Sequence, residues 1–292
     1  MANLKEIRTR ITSVKTTRQV TSAMKMVSAA KLKKAQDAIL QIRPYAGKLS
    51  ELLSSLSLAL ENSDSSVYTV QRNPEKVLIV LISSNRGLCG GFNSYITKMA
   101  MSLAKTSYSK ELKNGNLDFL VIGKQGGKIL RSYNFQPIDE KNQLFDDLTF
   151  DRVSELTKTI MNDFTSGKYD RIDLVYNKFI NAASQELTCE QFLPVLPAKG
   201  TNKQVNLDYI FEPSLEQIVN ELIPRSLKIQ FYKALLDSHA AEHGARMTAM
   251  HKATDNASEL IDDLTLTFNK ARQAAITNAI LEVTNGSEAL NG

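Results

Sequence analysis

A chain of 292 residues that is 42% hydrophobic and 23% charged has ordinary globular composition, enough for one large domain or two small ones. The net charge of +5 is unevenly placed: residues 1–48 hold eleven Lys and Arg against two acids, Glu6 and Asp37, so the remainder is net acidic. Cys89 and Cys189 lie in unrelated contexts and make neither a disulfide framework nor a metal quartet, and the longest apolar run, Val77 to Ile82, is far below the ~20 residues that span a bilayer. The basic first segment is suited to an acidic partner, whether nucleic acid, anionic lipid or an acidic protein surface. The opening MANLKEIRTR has no apolar signal region, and the cysteine usage points to a reducing compartment.

From Leu4 to about Leu60 the sequence reads as helix. Leu4, Ile7, Ile11 and Val14 open an a/d pattern that passes through Arg18, Thr21, Lys25 and Ser28 and recovers at Leu32, Ala35, Ile39 and Ile42. The polar middle predicts either an interrupted seam or burial of a second face through Val20, Met24 and Val27. Pro44 predicts a kink. Residues 61–74 form a polar linker.

The pattern then changes. Residues 76–83, 117–123 and 171–179 are apolar runs of strand length, and residues 186–196 read as a strand ending at Pro194 and Pro197. Helical stretches are predicted from Phe92 to about Leu112, near Lys128 to Tyr133, and from Arg152 to Phe164. Such alternation indicates an open α/β layer with a mainly parallel sheet. A second polar link covers residues 199–206. Pro213 and a capping Ser214 open the last helix, which meets Pro224 and Gly244 but no other breaker before Gly286. Its seam runs Met247, Met250, Thr254, Ala257, Ile261, Leu264, Phe268, Ala271, Ala275, Asn278. The small seam residues require a close partner helix. The expected fold is therefore an α/β domain (residues 75–208) inserted between two long terminal helices (1–60 and 212–287) that form an antiparallel coiled coil.

The search for chemistry is mostly negative. SNRGLCGGFN sits after a strand and before a helix, where phosphate loops sit, but it matches neither GxGxxG nor GxxxxGK[ST], and a tight turn is the reading here. Cys89 has no His near it in sequence. His239 and His243 stand one turn apart, as two metal ligands would, yet HAAEH is not HExxH, and solvated helix surface is expected. Asp262 and Asp263 read as a solvated face. No catalytic residue, metal or cofactor is expected. A basic coiled-coil nucleic-acid binder remains as an alternative, although Tyr45 is the only aromatic residue before Tyr68. An α/β enzyme built on the 87–91 loop is a third reading.

Three segments carry a more specific signal: LKEIRTRITSVKTTRQVTSAMKMVSAAKLKKAQ, SNRGLCGGFN, and ARMTAMHKATDN with LIDDLTLTFNKARQAAITNAILEV. In order and spacing the chain resembles the gamma subunits of F-type ATP synthases over essentially its whole length. The resemblance implies a central rotor shaft without an active site of its own. Its partners would be the alpha and beta subunits, the epsilon subunit and the c-ring, with no nucleic acid. The implied place is peripheral, on the cytoplasmic face of a bacterial inner membrane. By the same resemblance Met24, Arg86, Arg246, Arg272, Gln273 and Thr277 match positions at or coupled to the beta interface. Tyr209 and Glu212 match the foot that meets epsilon and the ring. Asn85 stands where the family often has Asp, which puts an ion pair there in doubt. Gly244 stands where Ala is usual, which predicts local loosening.

Overall fold

The computed structural model describes residues 4–59, 67–195 and 215–291, and the chain divides into two compact units. Tyr209, Glu212, Ser214 and the link at 199–206 lie outside the described residues.

The larger unit, Ala29–Arg246, holds a five-stranded sheet. Its strands are β1 (Val77–Ile82), β2 (Leu117–Ile122), β3 (Asp139–Glu140), β4 (Arg171–Phe179) and β5 (Gln185–Leu193). The order is β3-β2-β1-β4-β5, parallel except for β5, which pairs antiparallel with β4. Every residue of β1 is buried, because both faces are covered. On one face Val77, Ile79 and Leu81 pack with Ile96, Ala100 and Ala104 of α2 (Phe92–Thr106) and Leu130 of α4 (Lys124–Ser132). On the other, Leu78, Val80 and Ile82 pack with Val153, Ile160 and Phe164 of α5 (Phe150–Thr165) and with Phe231, Ala234 and Leu235 of the last helix, α6 (Leu215–Asn291). The helical stretch expected to reach Leu112 breaks at Ser107, and α3 (Ser109–Lys113) follows it. The short helix expected near Lys128 begins at Lys124. β3 was not foreseen, since two acidic residues carry no strand pattern.

The smaller unit pairs the start of α1 (Leu4–Ala59), residues 4–28, with residues 247–291, the end of α6. The a/d seam continues through its polar middle rather than shifting face. Thr21 and Ser28 are buried, whereas Val20 and Val27 are exposed. Thr21 and Thr254 hydroxyls meet at 2.8 Å across the pair. Small hydroxyls there let the backbones approach as Ala257 does one turn on. In this antiparallel register, stepping back from Thr21 to Leu4 carries α6 forward from Thr254 to Ala271. The seam ends there: Ala271 is half-buried, and residues 272–287 are all exposed. Ala275 and Asn278, expected as seam positions, therefore have no α1 residue opposite them. Both terminal helices run through their prolines, Pro44 and Pro224, without ending.

Candidate functional site

In a doubly wound sheet, ligands bind where the strand order reverses, beyond the carboxyl ends of the strands. Here that point lies between β1 and β4. The loop after β1, residues 83–91, occupies one side. Its conformation is held from within. Ser84 Oγ donates to the Arg86 carbonyl at 2.7 Å, and Asn93 Oδ1 accepts from the Ser84 amide at 2.9 Å. Asn93 Nδ2 donates to Ser84 Oγ and to Cys89 Sγ. Asn85 Nδ2 donates to the Asn142 carbonyl at 2.7 Å while its Oδ1 accepts from the Lys124 amide. An Asp at 85 would lack that donor. Gly90 and the non-glycine Leu88 both sit at positive φ (59° and 60°), and Leu88 is 66% exposed. Burial pushes the Cys89 thiol up, and it is inert packing rather than a nucleophile.

The other side of the crevice is filled by the chain itself. α6 crosses it at Gly244, where an added Cβ would stand 3.1 Å from the Ala182 carbonyl oxygen in the β4–β5 turn. Gly244 is a close-approach glycine, not the loosening element expected from sequence. Two residues on, the Arg246 side chain turns inward and is 6% exposed. Its Nη2 donates to the Arg86 carbonyl at 2.9 Å and the Gly87 carbonyl at 3.2 Å, and its Nε donates to Gly87 at 3.3 Å. Its Nη1 pairs with Glu242 Oε1 at 2.7 Å and approaches His243 Nδ1 at 3.3 Å. All five N–H groups of the guanidinium thus have acceptors. Burial pushes the Glu242 carboxyl up and Arg246 pulls it back.

The histidines overturn the expectation of a solvated face. His243 is buried and His239 half-buried. Their rings pack edge to face at 4.5 Å between centroids, and Phe145 stacks on His239. Their Nε2 atoms are 3.1 Å apart. Arginine only donates, so His243 Nδ1 is an acceptor, its proton sits on Nε2, and that N–H donates to His239 Nε2. The point between the two Nε2 atoms therefore carries a proton, not the paired lone pairs a metal ion needs. Burial, with Lys31 next for His239 and the neighbouring His239 for His243, lowers the two imidazoles to about 4 and about 3.

The remaining predicted residues are dispersed. Arg86 projects to solvent from the loop whose carbonyl Arg246 holds. Met24 is half-buried in the smaller unit, and Arg272, Gln273 and Thr277 are exposed on α6 beyond Ala271. Sequence reasoning missed Glu242, His243 and Gly244 as one assembly. The available signal was charge: Asp237, Glu242 and Arg246 are the only charged residues from Ala234 to Arg246, so this stretch is too apolar for a helix with an exposed face. Four of the carboxylates that line the open groove between β2 and α5 are engaged, Asp139 among them by Lys141. Asp118 accepts from the Tyr169 hydroxyl, Asp163 pairs with Lys168, and Glu140 pairs with Arg131.

Two long terminal helices that pair with each other, and between them in sequence an α/β domain whose sheet crevice is filled by the chain's own last helix, define the class: a coiled-coil protein with an inserted α/β domain. The family model described as ATP synthase matches residues 3–290. ATP synthase gamma chains from Flavobacterium psychrophilum and Cytophaga hutchinsonii are 56% and 48% identical to this chain, in each case over 100% of both sequences. Among solved structures, a central stalk/c-ring chain of the Tetrahymena thermophila mitochondrial ATP synthase is 26% identical with a TM-score of 0.57, covering 80% of this chain and 99% of that one. A chain of the Euglena gracilis mitochondrial ATP synthase shares the fold at a TM-score of 0.70 and 21% identity, covering 98% of this chain and 94% of that one. The chain belongs to the ATP synthase gamma chain family.

Proposed function

We propose that this chain is the central rotor shaft of an F-type ATP synthase, carrying torque between the membrane c-ring and the catalytic alpha/beta hexamer while holding no active site of its own. The observation that carries the reading is the end of α6. Past Ala271 it continues to Asn291 without a helix opposite among the described residues, exposing Ile276, Ile280, Leu281 and Val283. A run of exposed apolar side chains on an unaccompanied helix calls for a surrounding surface, and an apolar tip turns inside a sleeve without fixed bonds to break. The relatives' name and full-length match support the same role.

Within this reading, residues 1–60 and 212–287 are the shaft and residues 75–208 the domain below the head. Arg272, Gln273 and Thr277 face alpha and beta from the tip, Met24 does so from α1, and Arg86 from the 83–91 loop of the domain. Arg246 acts indirectly, through the loop that carries Arg86. Tyr209 and Glu212 meet epsilon and the c-ring. Attachment in this reading is through the ring, on the cytoplasmic face of a bacterial inner membrane; among the described residues no helix is long and apolar enough to cross a membrane.

Reconstitution tests the function. The purified chain hydrolyses no ATP, whereas alpha and beta subunits with the membrane sector regain ATP-driven proton transport only when it is added. Intrinsic hydrolysis by the isolated chain, or full transport without it, would overturn the reading.

A further inference from the structure

We infer that His243 is a positioning residue: with His239 it forms a latch that holds Arg246, and through it the 83–91 loop, against α6, and the latch closes only when both imidazoles are neutral. The inference concerns this chain's own geometry; only its effect on coupling rests on the rotor reading.

The hydrogen-bond chain has one direction. Arg246 Nη1 donates to His243 Nδ1, and His243 Nε2 donates to His239 Nε2. A proton added to His243 Nδ1 turns the acceptor facing Arg246 into a second donor. A proton added to His239 Nε2 does the same to the acceptor facing His243. Either event sets two donors nose to nose in a buried site. The Arg246 guanidinium then loses one of the partners that fix its plane, and that plane is what aims Nη2 and Nε at the Arg86 and Gly87 carbonyls.

The charges around the pair make the device sensitive. α1 presents Lys31 and Lys34 and α6 itself presents Arg246, each of which disfavours a further cation on the pair, while Arg86 of the loop acts on Glu242. Glu242 is the one acid of the group and is already engaged by Arg246. Cys89 also faces Arg246 and Glu242, but burial keeps its thiol uncharged. Phe145, stacked on His239, contributes no charge. In the closed state both imidazoles titrate well below their ordinary value of about 6.5, while in the opened state they return to it. Closure is therefore at full strength above about pH 6.5 and is lost as pH falls toward the closed-state values. Each proton taken up on opening raises the open fraction about tenfold per pH unit within that window.

What this does for the molecule follows from the loop. Leu88, exposed and at positive φ, and Arg86 are presented by a backbone that Arg246 holds from beneath. Loosening the clamp leaves the sheet intact but frees the presented side chains.

The test uses the full chain and three forms: wild type, His243→Gln and His243→Leu. Glutamine keeps an acceptor for Arg246 and a donor for His239 but does not titrate. Amide hydrogen exchange of residues 84–91, corrected for intrinsic rates, is followed from pH 7.5 to 5, with β1 and β2 amides as the control for global unfolding. Wild type should open by up to about a hundredfold per pH unit below 6.5, tenfold for each imidazole, H243L should be open at every pH, and H243Q should stay closed at pH 7.5 with a flatter profile of about tenfold per pH unit from His239 alone. A flat wild-type profile, or H243Q as open as H243L at pH 7.5, overturns the latch. In the assembled complex H243L should lower proton transport per ATP hydrolysed, and H243Q should restore it. Unchanged coupling in H243L, with loop exchange still raised, overturns the functional part alone. Failure of the wild-type chain to join the complex would count against the rotor reading and leave the latch standing.

Discussion

At Arg246 the choice of guanidinium over ammonium follows from counting donors. Four acceptors on two elements surround the group: Glu242 Oε1, His243 Nδ1 and the carbonyls of Arg86 and Gly87. A lysine has three donors on a single atom and cannot span them. Arg246→Ala leaves Glu242 buried without its partner, a defect that costs about 3 kcal/mol. Chemical denaturation should report that loss, and adding Glu242→Gln should recover part of it. A loss under about 1 kcal/mol, in the range of an exposed ion pair, would mean that the clamp is not structural. Met24 poses a different problem. It is half-buried beside exposed Met26 and Val27 on a basic helix. Met24→Lys adds a cation on the face proposed to turn past beta, so it should impair coupling more than assembly. Proton transport per ATP hydrolysed, measured in complexes of equal subunit content, checks this, and an unchanged ratio removes Met24 from the interface.

The two long helices make glycine informative at the level of the element. Gly47, inside α1, has open space around a built Cβ, whereas at Gly244 the same atom meets the Ala182 carbonyl at 3.1 Å. The β4–β5 turn has little room to retreat, because Asn181 Oδ1 accepts from both the Ala183 and Ser184 amides. Gly47→Ala should therefore gain most of the helix-propensity difference, about 0.5–1 kcal/mol, and Gly244→Ala should gain none and lose stability. Thermal unfolding of the two variants side by side decides it; equal gains would mean that the crossing is loose. The contrast also marks what was legible beforehand. Heptad spacing at Ile7, Leu32, Ala257 and Ile261 and the unbroken apolar run of β1 announced the helix pair and the parallel sheet, because each pattern repeats locally. The plug in the crevice did not announce itself. Gly244 meets Ala182, and Arg246 meets Gly87, only after the sheet has brought distant segments together, and a helix wrapped on several sides no longer obeys a one-face rule. The end of the seam at Ala271 was hidden for a related reason: small residues continue at Ala275 and Ala279, but the helix opposite does not.

At the scale of the molecule, charge separates two of the readings that composition left open, an acidic protein surface and nucleic acid. The first 48 residues carry eleven cations and two anions, and the rest of the chain is net acidic. A basic helix entering an acidic protein sleeve is steered there, and steering acts on the association rate: it lifts rates from about 10⁵–10⁶ M⁻¹s⁻¹ toward 10⁸ M⁻¹s⁻¹ at low salt and fades with ionic strength. Nucleic acid would respond differently, with affinity itself falling linearly in log salt by about 0.9 for each phosphate neutralised. The exposed seam-flanking residues Arg8, Arg10 and Lys15 have no stacking aromatic among them, which favours the protein sleeve. Replacing these three by Gln should slow capture by alpha and beta subunits severalfold at low salt, with little change at high salt or in the stability of the finished complex. Excess duplex DNA at physiological salt should not divert the wild-type chain. Stopped-flow assembly with and without DNA reads both outcomes at once. If DNA drains the chain from assembly, the positive segment is a nucleic-acid surface; if assembly is indifferent to both salt and the three substitutions, the charge asymmetry does not guide the shaft into place.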